Sequence, residues 1–528
     1  MMKKAIKKLL AALLAVAMVC AMAIPAFAYN PGETKEDLNT KHDYGAFQIF
    51  EGVISKDNET LSDVNWGQNI TEPDIFLANL KNDPTIGEKF ETAATAQDVL
   101  AVISKWHDSD DNSIAFARVV CHYLYPDANA NPTPVATDHT GGINIPKSGY
   151  YLIVDTSTFS DDDFYHAYNS FFLLNVPQTP YVVLVNHKVV KPTVEKEVYD
   201  NNDIGSTGGW GSSADHAINE PFQFRLIAKL PASENNGRAY DYYKEYAVCF
   251  TDTLSDGITF DKLDTVEITN GDGSTPQVIN NYTLDPNNPQ SSFKLSIDDV
   301  KTRVPDLNKG ATITVTYTAH LNEKAYVNTV GGGTDNKNSV YLEYSNNPRI
   351  STSLDHTTTS EVCVYTYQLN NTKHQDSENG PVLEGAGFRL YSNEACNAED
   401  EIKLKMNDDG TYSRDFSTEG KGVEMLSNKD GQFNVKGLDA GTYYLKETTP
   451  PTGYSACANK EIVISATHDV NHVDLSGNLS TTIINKKAGG ITLPSTGGIG
   501  TTIFYVVGGG LMVAAIVLLV TKKRMENK

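Results

Sequence analysis

The chain reads as mainly β: tandem β-sandwich domains of immunoglobulin-like size behind an α+β N-terminal domain. Three observations predict this. Residues 222–230 and 311–321 alternate apolar and polar side chains, as half-buried strands do. Turn-forming clusters punctuate both later regions: Asn270-Gly271-Asp272-Gly273 within 188–350, and Asp408-Asp409-Gly410 and Lys429-Asp430-Gly431 within 352–488. Each of those regions has about the length of one sandwich, whereas residues 29–187 mix helical spacing with strand-like runs.

In chain order, Lys3, Lys4, Lys7 and Lys8 form a basic segment, residues 9–24 are apolar, and Ala26-Phe27-Ala28 is a small-x-small cleavage site. Residues 1–28 are therefore expected to be an export signal, with Tyr29 first in the mature chain. In the α+β region, Thr95 and Asp98 have the spacing of a helix N-cap, and Val99, Leu100, Ile103 and Trp106 recur at helical intervals. A second helix is predicted over 114–123 and strands over 44–53, 150–156, 171–176 and 181–185. Asp108-Ser109-Asp110-Asp111-Asn112 begins like a calcium loop, but it lacks Gly at the sixth position and has Val119 at the twelfth, so it reads as a solvated loop.

Composition narrows the function. The chain has 43 Lys+Arg against 66 Asp+Glu. Removing residues 1–28 and 497–528 leaves 35 basic and 65 acidic residues, a net charge of about −30, the opposite of what nucleic acid requires. Cys121, Cys249, Cys363, Cys396 and Cys457 remain after residue 28, odd in number and without CxxC spacing, so neither a disulfide framework nor a zinc site is expected. No Ser/His/Asp grouping, phosphate loop, metal-ligand cluster or cofactor motif stands out, and an enzyme is not expected.

Leu493-Pro494-Ser495-Thr496-Gly497 precedes an apolar run over 503–520 and then Lys522-Lys523-Arg524. About 20 apolar residues suffice to cross a bilayer, and the basic cluster stays on the cytoplasmic side. This order resembles the cell-wall sorting signal of Gram-positive surface proteins. The resemblance implies that a sortase cuts between Thr496 and Gly497 and passes the Thr carbonyl to an amine. Val183-Leu184-Val185-Asn186-His187-Lys188 keeps the Val-x-Val-x-x-Lys frame of the pilin motif in sortase-assembled pilus shaft subunits, with Asn-His where that motif commonly has Tyr-Pro. It implies Lys188 as the receiving amine, with Lys191 as an alternative. An ordinary lysine is protonated at neutral pH, so the enzyme or its surroundings must remove the proton.

Two motif sets imply internal crosslinks. Tyr365-x-x-Gln368-x-x-x-x-Lys373, Leu383-Glu384-Gly385-Ala386-Gly387-Phe388, residues 441–454 with Leu445-Lys446-Glu447-Thr448, and Ile483-Ile484-Asn485-Lys486 resemble the collagen-adhesin B-type (prealbumin-like) domain. The resemblance implies a Lys373–Asn485 isopeptide bond promoted by Glu447. Burial would leave the amine neutral and the acid protonated, so that the acid donates to the amide oxygen while the amine attacks and ammonia leaves. Residues 191–198, Phe250-Thr251-Asp252-Thr253-Leu254 and residues 338–348 are similar to the middle isopeptide-forming domain of pilus shaft proteins. That match implies Lys196 joined to Asn338 with Asp252 assisting; Glu195, Glu197 and Glu220 are alternatives for the acid. No comparable pair stands out in the first domain.

The expected protein is thus a structural subunit of a covalently polymerised, wall-anchored pilus, with a monomeric adhesin or minor pilin as the alternative. The implied partners are pilus-class and housekeeping sortases, further copies of the chain, minor pilins, peptidoglycan and a host surface ligand. The implied place is the cell wall, after transient anchoring in the membrane.

Overall fold

The computed structural model describes residues 42–526 apart from 55–60, 108–109, 139–141, 160–165, 169, 177–180, 185–188, 203–207, 234–236, 288, 290, 329–335, 418–419, 478 and 489–498. The expected export signal, the LPSTG motif over Leu493–Gly497 and Lys188 lie outside the described residues.

The first domain packs helices on a sheet. β1 (Tyr44–Ile54) pairs antiparallel with β2 (Leu61–Trp66) on one side and β4 (Gly149–Asp155) on the other, and β5 (Phe172–Val176) extends the sheet beyond β4. β3 (Gly142–Ile145) and β6 (Tyr181–Leu184) form a separate hairpin-like pair. Three helices bury their apolar faces here: α1 (Pro73–Asn82), α2 (Ala96–Ile103) and α3 (Asp111–Leu124). Thr95 and Asp98 form a reciprocal capping box at the start of α2, so Asp serves where Glu is commoner. Helix α1 was not anticipated. It starts with Pro at its first turn and buries Phe76, Leu77 and Leu80, but Glu72 offers no side-chain cap to announce it. Asp110, in the calcium-like stretch, caps α3 by accepting from the Ser113 amide, and Val119 is buried on that helix.

The middle domain is a two-sheet sandwich. One sheet runs in the order β11 (Ile258–Asn270), β13 (Ala311–Leu321), β9 (Pro221–Leu230) and β7 (Thr193–Asp200). The facing sheet runs β8 (Ser213–Asp215), β15 (Ser360–Tyr365), β14 (Lys337–Ser345), β10 (Val248–Leu254) and β12 (Phe293–Ile297). Strands β9 and β13 bury every second side chain, and the core is filled by Phe224, Leu226, Phe250, Val315, Tyr317 and Leu342 among others. A break at 350–352 was expected from the sequence. The structure instead pairs Leu354–His356 and β15 with β14, so the middle domain runs on to Tyr365. The Asn346-Asn347-Pro348 stretch lies within the domain, with Asn347 buried.

The third domain begins one residue later, after Thr366. β18 (Val435–Leu438), β16 (Tyr367–Gln375) and β21 (Ser480–Asn485) lie side by side in one sheet, and β17 (Gly387–Tyr391), β19 (Gly441–Thr449) and β20 (Lys460–His468) in the other. Strands β16 and β21, the first and last of the domain, run parallel. Thr366 is fully buried; its carbonyl accepts from the Asn328 amide at 2.8 Å, and its hydroxyl donates to the Leu438 carbonyl at 3.3 Å. The C-terminal helix α4 (Ile499–Glu526) contains a 21-residue stretch, Tyr505–Met525, long and apolar enough to cross a membrane.

Candidate intramolecular crosslinking sites

In both later domains, inward-facing positions of strands are occupied by a lysine, an asparagine and an acid. On β7 the alternation that buries Val198 also turns Lys196 inward, while Glu195 and Glu197 face outward to pair with Lys229 and Arg225. Lys196 lies opposite Leu226 of β9. On the facing sheet, Asp252 shares the buried face of β10 with Val248 and Phe250, and Asn338 shares that of β14 with Val340 and Leu342. Register sets Leu254 against Asn338 and Asp252 against Val340. Lys196 therefore reaches across the sandwich to Asp252 on β10, the strand beside that of Asn338.

The Lys196 ammonium meets the Asp252 carboxylate through Oδ2, and both side chains are wholly buried. Glu220, another candidate acid, instead lies 3.9 Å from the Arg414 guanidinium. Aromatic rings line the pocket: the Lys196 nitrogen is 5.2 Å from the Phe224 ring centre and 5.4 Å from that of Tyr317. Burial lowers the Lys196 amine to about 8 against the opposing pull of Asp252, and burial raises Asp252 against the pull of Lys196. Both shifts favour the neutral amine beside the protonated acid.

Sequence reasoning missed Tyr317. Its hydroxyl accepts from Lys196 Nζ at 3.1 Å and from Asn338 Nδ2 at 2.5 Å, and donates to Asp252 Oδ1 at 3.2 Å. One donor proton and two lone pairs are thereby all used. Burial raises this phenol well above its ordinary range, so it stays a neutral hydroxyl. A signal was available: residues 311–321 alternate, and Tyr317 is the one position on the inward register with a polar end.

The third domain distributes the same residue types differently. Lys373 and Asn485 lie on neighbouring parallel strands, with Lys373 opposite Ile483 and Gln375 opposite Asn485. Lys373 is fully buried and donates to the Ile483 carbonyl at 3.3 Å. Burial lowers its pKa, with Glu447 and then Cys457 opposing. Glu447 arrives from the facing sheet, on the buried register of β19 with Tyr443 and Leu445. Its Oε1 accepts from Asn485 Nδ2 at 2.7 Å, and its Oε2 from the Cys457 backbone amide at 2.7 Å. The Cys457 amide is a second contributor that sequence alone did not suggest.

The two amides share one feature. Asn338 Oδ1 and Asn485 Oδ1 are buried and accept no hydrogen bond, while their NH2 groups face the acid or the tyrosine. A half-turn of the amide exchanges the two ends. It would bring Asn485 Oδ1 to Glu447 and Asn338 Oδ1 to the Tyr317 hydroxyl. All five cysteines among the described residues are free thiols.

Residues 369–478 match the SpaA family, described as a prealbumin-like fold domain, and residues 485–527 match the LPXTG cell wall anchor motif of Gram-positive proteins. No curated protein matches the chain. Among solved structures, the T6 backbone pilin of serotype M6 Streptococcus pyogenes is 15% identical with a TM-score of 0.45, covering 85% of this chain and 97% of its own. The full-length major pilin SpaD of Corynebacterium diphtheriae is 18% identical with a TM-score of 0.42, covering 85% and 93%. The C-terminal fragment of the major pilin GBS80 of Streptococcus agalactiae is 21% identical with a TM-score of 0.39, covering 56% and 99%. At TM-scores below 0.5 these likenesses decide nothing about this chain. The family matches do: the chain carries a prealbumin-like domain beside a cell-wall anchor, and its apolar C-terminal helix fits transient residence in the membrane.

Proposed function

We propose that this chain is the shaft subunit of a covalently polymerised, wall-anchored pilus. A sortase cuts between Thr496 and Gly497 and joins the Thr496 carbonyl to the Lys188 amine of the next copy. Within each copy, Lys196 bonds to Asn338 and Lys373 to Asn485. In each internal reaction the neutral lysine nitrogen attacks the asparagine Cγ, a C–N bond forms, the original C–NH2 bond breaks, and ammonia leaves. The proton lost by the amine reaches the leaving nitrogen through Asp252 in the middle domain and Glu447 in the third. The fold supplies proximity, which is the main source of rate in a reaction that turns over once. The observation that carries this reading is the recurrence of a buried lysine, asparagine and acid in two successive domains ahead of a wall anchor. Covalent ties of this kind suit a load-bearing chain whose described cysteines are all unpaired.

Immunoblotting of cell-wall extracts tests the polymer. A high-molecular-weight ladder that collapses to a single band in the Lys188→Ala strain is the expected result. A single band in both strains would make the chain a monomeric adhesin or minor pilin instead. A ladder that persists in Lys188→Ala and disappears in Lys191→Ala would move the joint to Lys191. Intact mass tests the internal bonds: the chain is expected to be about 34 Da lighter than its sequence mass, one ammonia for each condensation.

A further inference from the structure

The lysine of the middle domain is held at its root as well as at its tip. On one side β7 pairs with β9, where Lys196 lies opposite Leu226. On the other side its ladder runs only from Val198 to Asp200, against the segment Gly209–Gly211. Lys196 lies two residues before that second ladder begins, so an N–H on this side meets no strand of its own sheet among the described residues. A backbone donor left without an acceptor inside a protein is costly. The acceptor comes from the facing sheet: the Lys196 amide donates to the Ser360 hydroxyl at 2.9 Å.

The register of the facing sheet explains why Ser360 is within reach. Asp252 of β10 lies opposite Val340 of β14, and Val340 lies opposite Ser360, the first residue of β15. Residues directly opposite one another in antiparallel strands turn their side chains to the same face. Asp252, Val340 and Ser360 therefore form one inward row across three strands, with Val340 fully buried between the two polar ends. The carboxylate at one end of the row meets the Lys196 ammonium, and the hydroxyl at the other end takes the Lys196 backbone N–H. Asn338 lies on the same buried face, two residues along β14 from the middle of the row. The third domain holds the root of its lysine differently. The Lys373 amide donates to the Gly431 carbonyl at 2.8 Å, a backbone acceptor that side-chain substitution leaves in place.

We propose that Ser360 is a positioning residue for the condensation of Lys196 with Asn338: its hydroxyl fixes the root of the lysine, so that the side chain, steered at its tip by Asp252, presents its nitrogen to the amide. The proposal rests on the reading of Lys196 and Asn338 as a crosslinking pair. Ser360 acts through the Lys196 backbone. A lysine side chain has much rotamer freedom to lose, and a small displacement of a reacting group costs rate steeply, so an anchor at the root matters to the chemistry.

The test follows both bonds in the full chain. Chain collected unfolded in denaturant as it is synthesised is folded by dilution into detergent, and peptide mapping at successive times gives the rate of each bond. Below the Lys196 value of about 8 the neutral amine becomes about tenfold rarer with each pH unit, which brings the reaction into measurable range. Ser360→Ala is expected to slow the Lys196–Asn338 bond about 10-fold at each pH, while the Lys373–Asn485 bond in the same chain keeps its wild-type rate. A hydroxyl that only stabilised the sheet would lower the unfolding temperature of Ser360→Ala and leave the rate of the Lys196–Asn338 bond unchanged, and that result overturns the proposal. Ser360→Thr and Ser360→Val give side chains of nearly one shape that differ by the hydroxyl, so their comparison decides the matter even if Ser360→Ala fails to fold. Ser360→Thr is expected to restore the wild-type rate and Ser360→Val to be slow; equal rates in the two overturn the role of Ser360 alone. A wild-type chain that forms no Lys196–Asn338 bond would overturn the crosslinking reading, and this proposal with it.

Discussion

The two lysine–asparagine sites use similar side chains in opposite arrangements. In the middle domain the lysine crosses the sandwich, and the acid and the asparagine sit on adjacent strands β10 and β14 of the facing sheet. In the third domain the lysine and the asparagine are neighbours on β16 and β21, and the acid makes the crossing. A bond in the middle domain would staple two sheets. One in the third would weld the first strand to the last within a single sheet. Lys373 and Asn485 thus lie on the first and last strands of their domain, whereas Asn338 does not lie on the last strand of its own, because β15 follows β14. The acids differ as well. Glu447 contacts the asparagine amide directly and is held by the Cys457 backbone, whereas the Asn338 amide contacts Tyr317, which in turn contacts Asp252. Relative to the asparagine, the acid sits on the same sheet in the middle domain and on the facing sheet in the third, and it reaches the amide through the Tyr317 hydroxyl in the first case and directly in the second.

The strongest way to break this comparison is to remove the acids. Each bond would close a loop of more than a hundred residues, which the chain-entropy estimate values at about 5 kcal/mol. Asp252→Ala and Glu447→Ala should each leave the chain one ammonia heavier, about 17 Da, and lower its stability by about that amount. The loss should be larger for Asp252→Ala, by about 3 kcal/mol, because it strands Lys196 in a fully buried aromatic pocket. Mass spectrometry and denaturant unfolding read both effects. If the two variants lose equal stability, the direct ion pair of Lys196 with its acid, which Lys373 lacks, does not set the sites apart.

Next in size is Tyr317→Phe, which keeps the ring and deletes the hydroxyl shared by lysine, acid and amide. Formation of the Lys196–Asn338 bond should slow by about 10- to 100-fold, the effect of losing a buried hydrogen bond worth 1–3 kcal/mol, while the Lys373–Asn485 bond is unaffected. Peptide mapping of freshly synthesised chain separates the two. An undiminished middle-domain bond would remove Tyr317 from the reaction. The smallest effect is expected for Cys457→Ala. Glu447 is held by the backbone amide, so the bond should form in full, with a stability change under about 1 kcal/mol by unfolding. A missing bond would show that the thiol, not the amide, positions the acid.

Much of this was legible in the sequence. Alternation over 222–230 and 311–321 gave β9 and β13, and the motifs around Lys373, Glu447 and Asn485 named three residues that the fold gathers in one buried place. Asp252 was harder to choose, because Glu195 and Glu197 flank Lys196 in sequence. Strand alternation resolves this: neighbours of an inward residue face outward, and both glutamates pair with surface cations. Tyr317 was marked only by the alternation of residues 311–321, since its partners lie on strands far apart in sequence, and the Cys457 amide was invisible, because a backbone donor leaves no side-chain signature. The break expected at 350–352 falls inside the middle domain, because the pairing of Leu354–His356 and β15 with β14 leaves no mark in composition.

The single residue between the two sandwiches has a mechanical consequence. Thr366 is buried, and its hydrogen bonds engage Asn328 on one side and Leu438 on the other. Ile218 and Gly437 also meet across the seam, with the Ile218 amide donating to the Gly437 carbonyl at 3.0 Å. A bend or twist at this point must break contacts in both domains at once, so the seam behaves as a splice rather than a hinge. In a filament built from such subunits, compliance would collect at the joints between copies, and the bending length of the fibre would be set by the spacing of those joints.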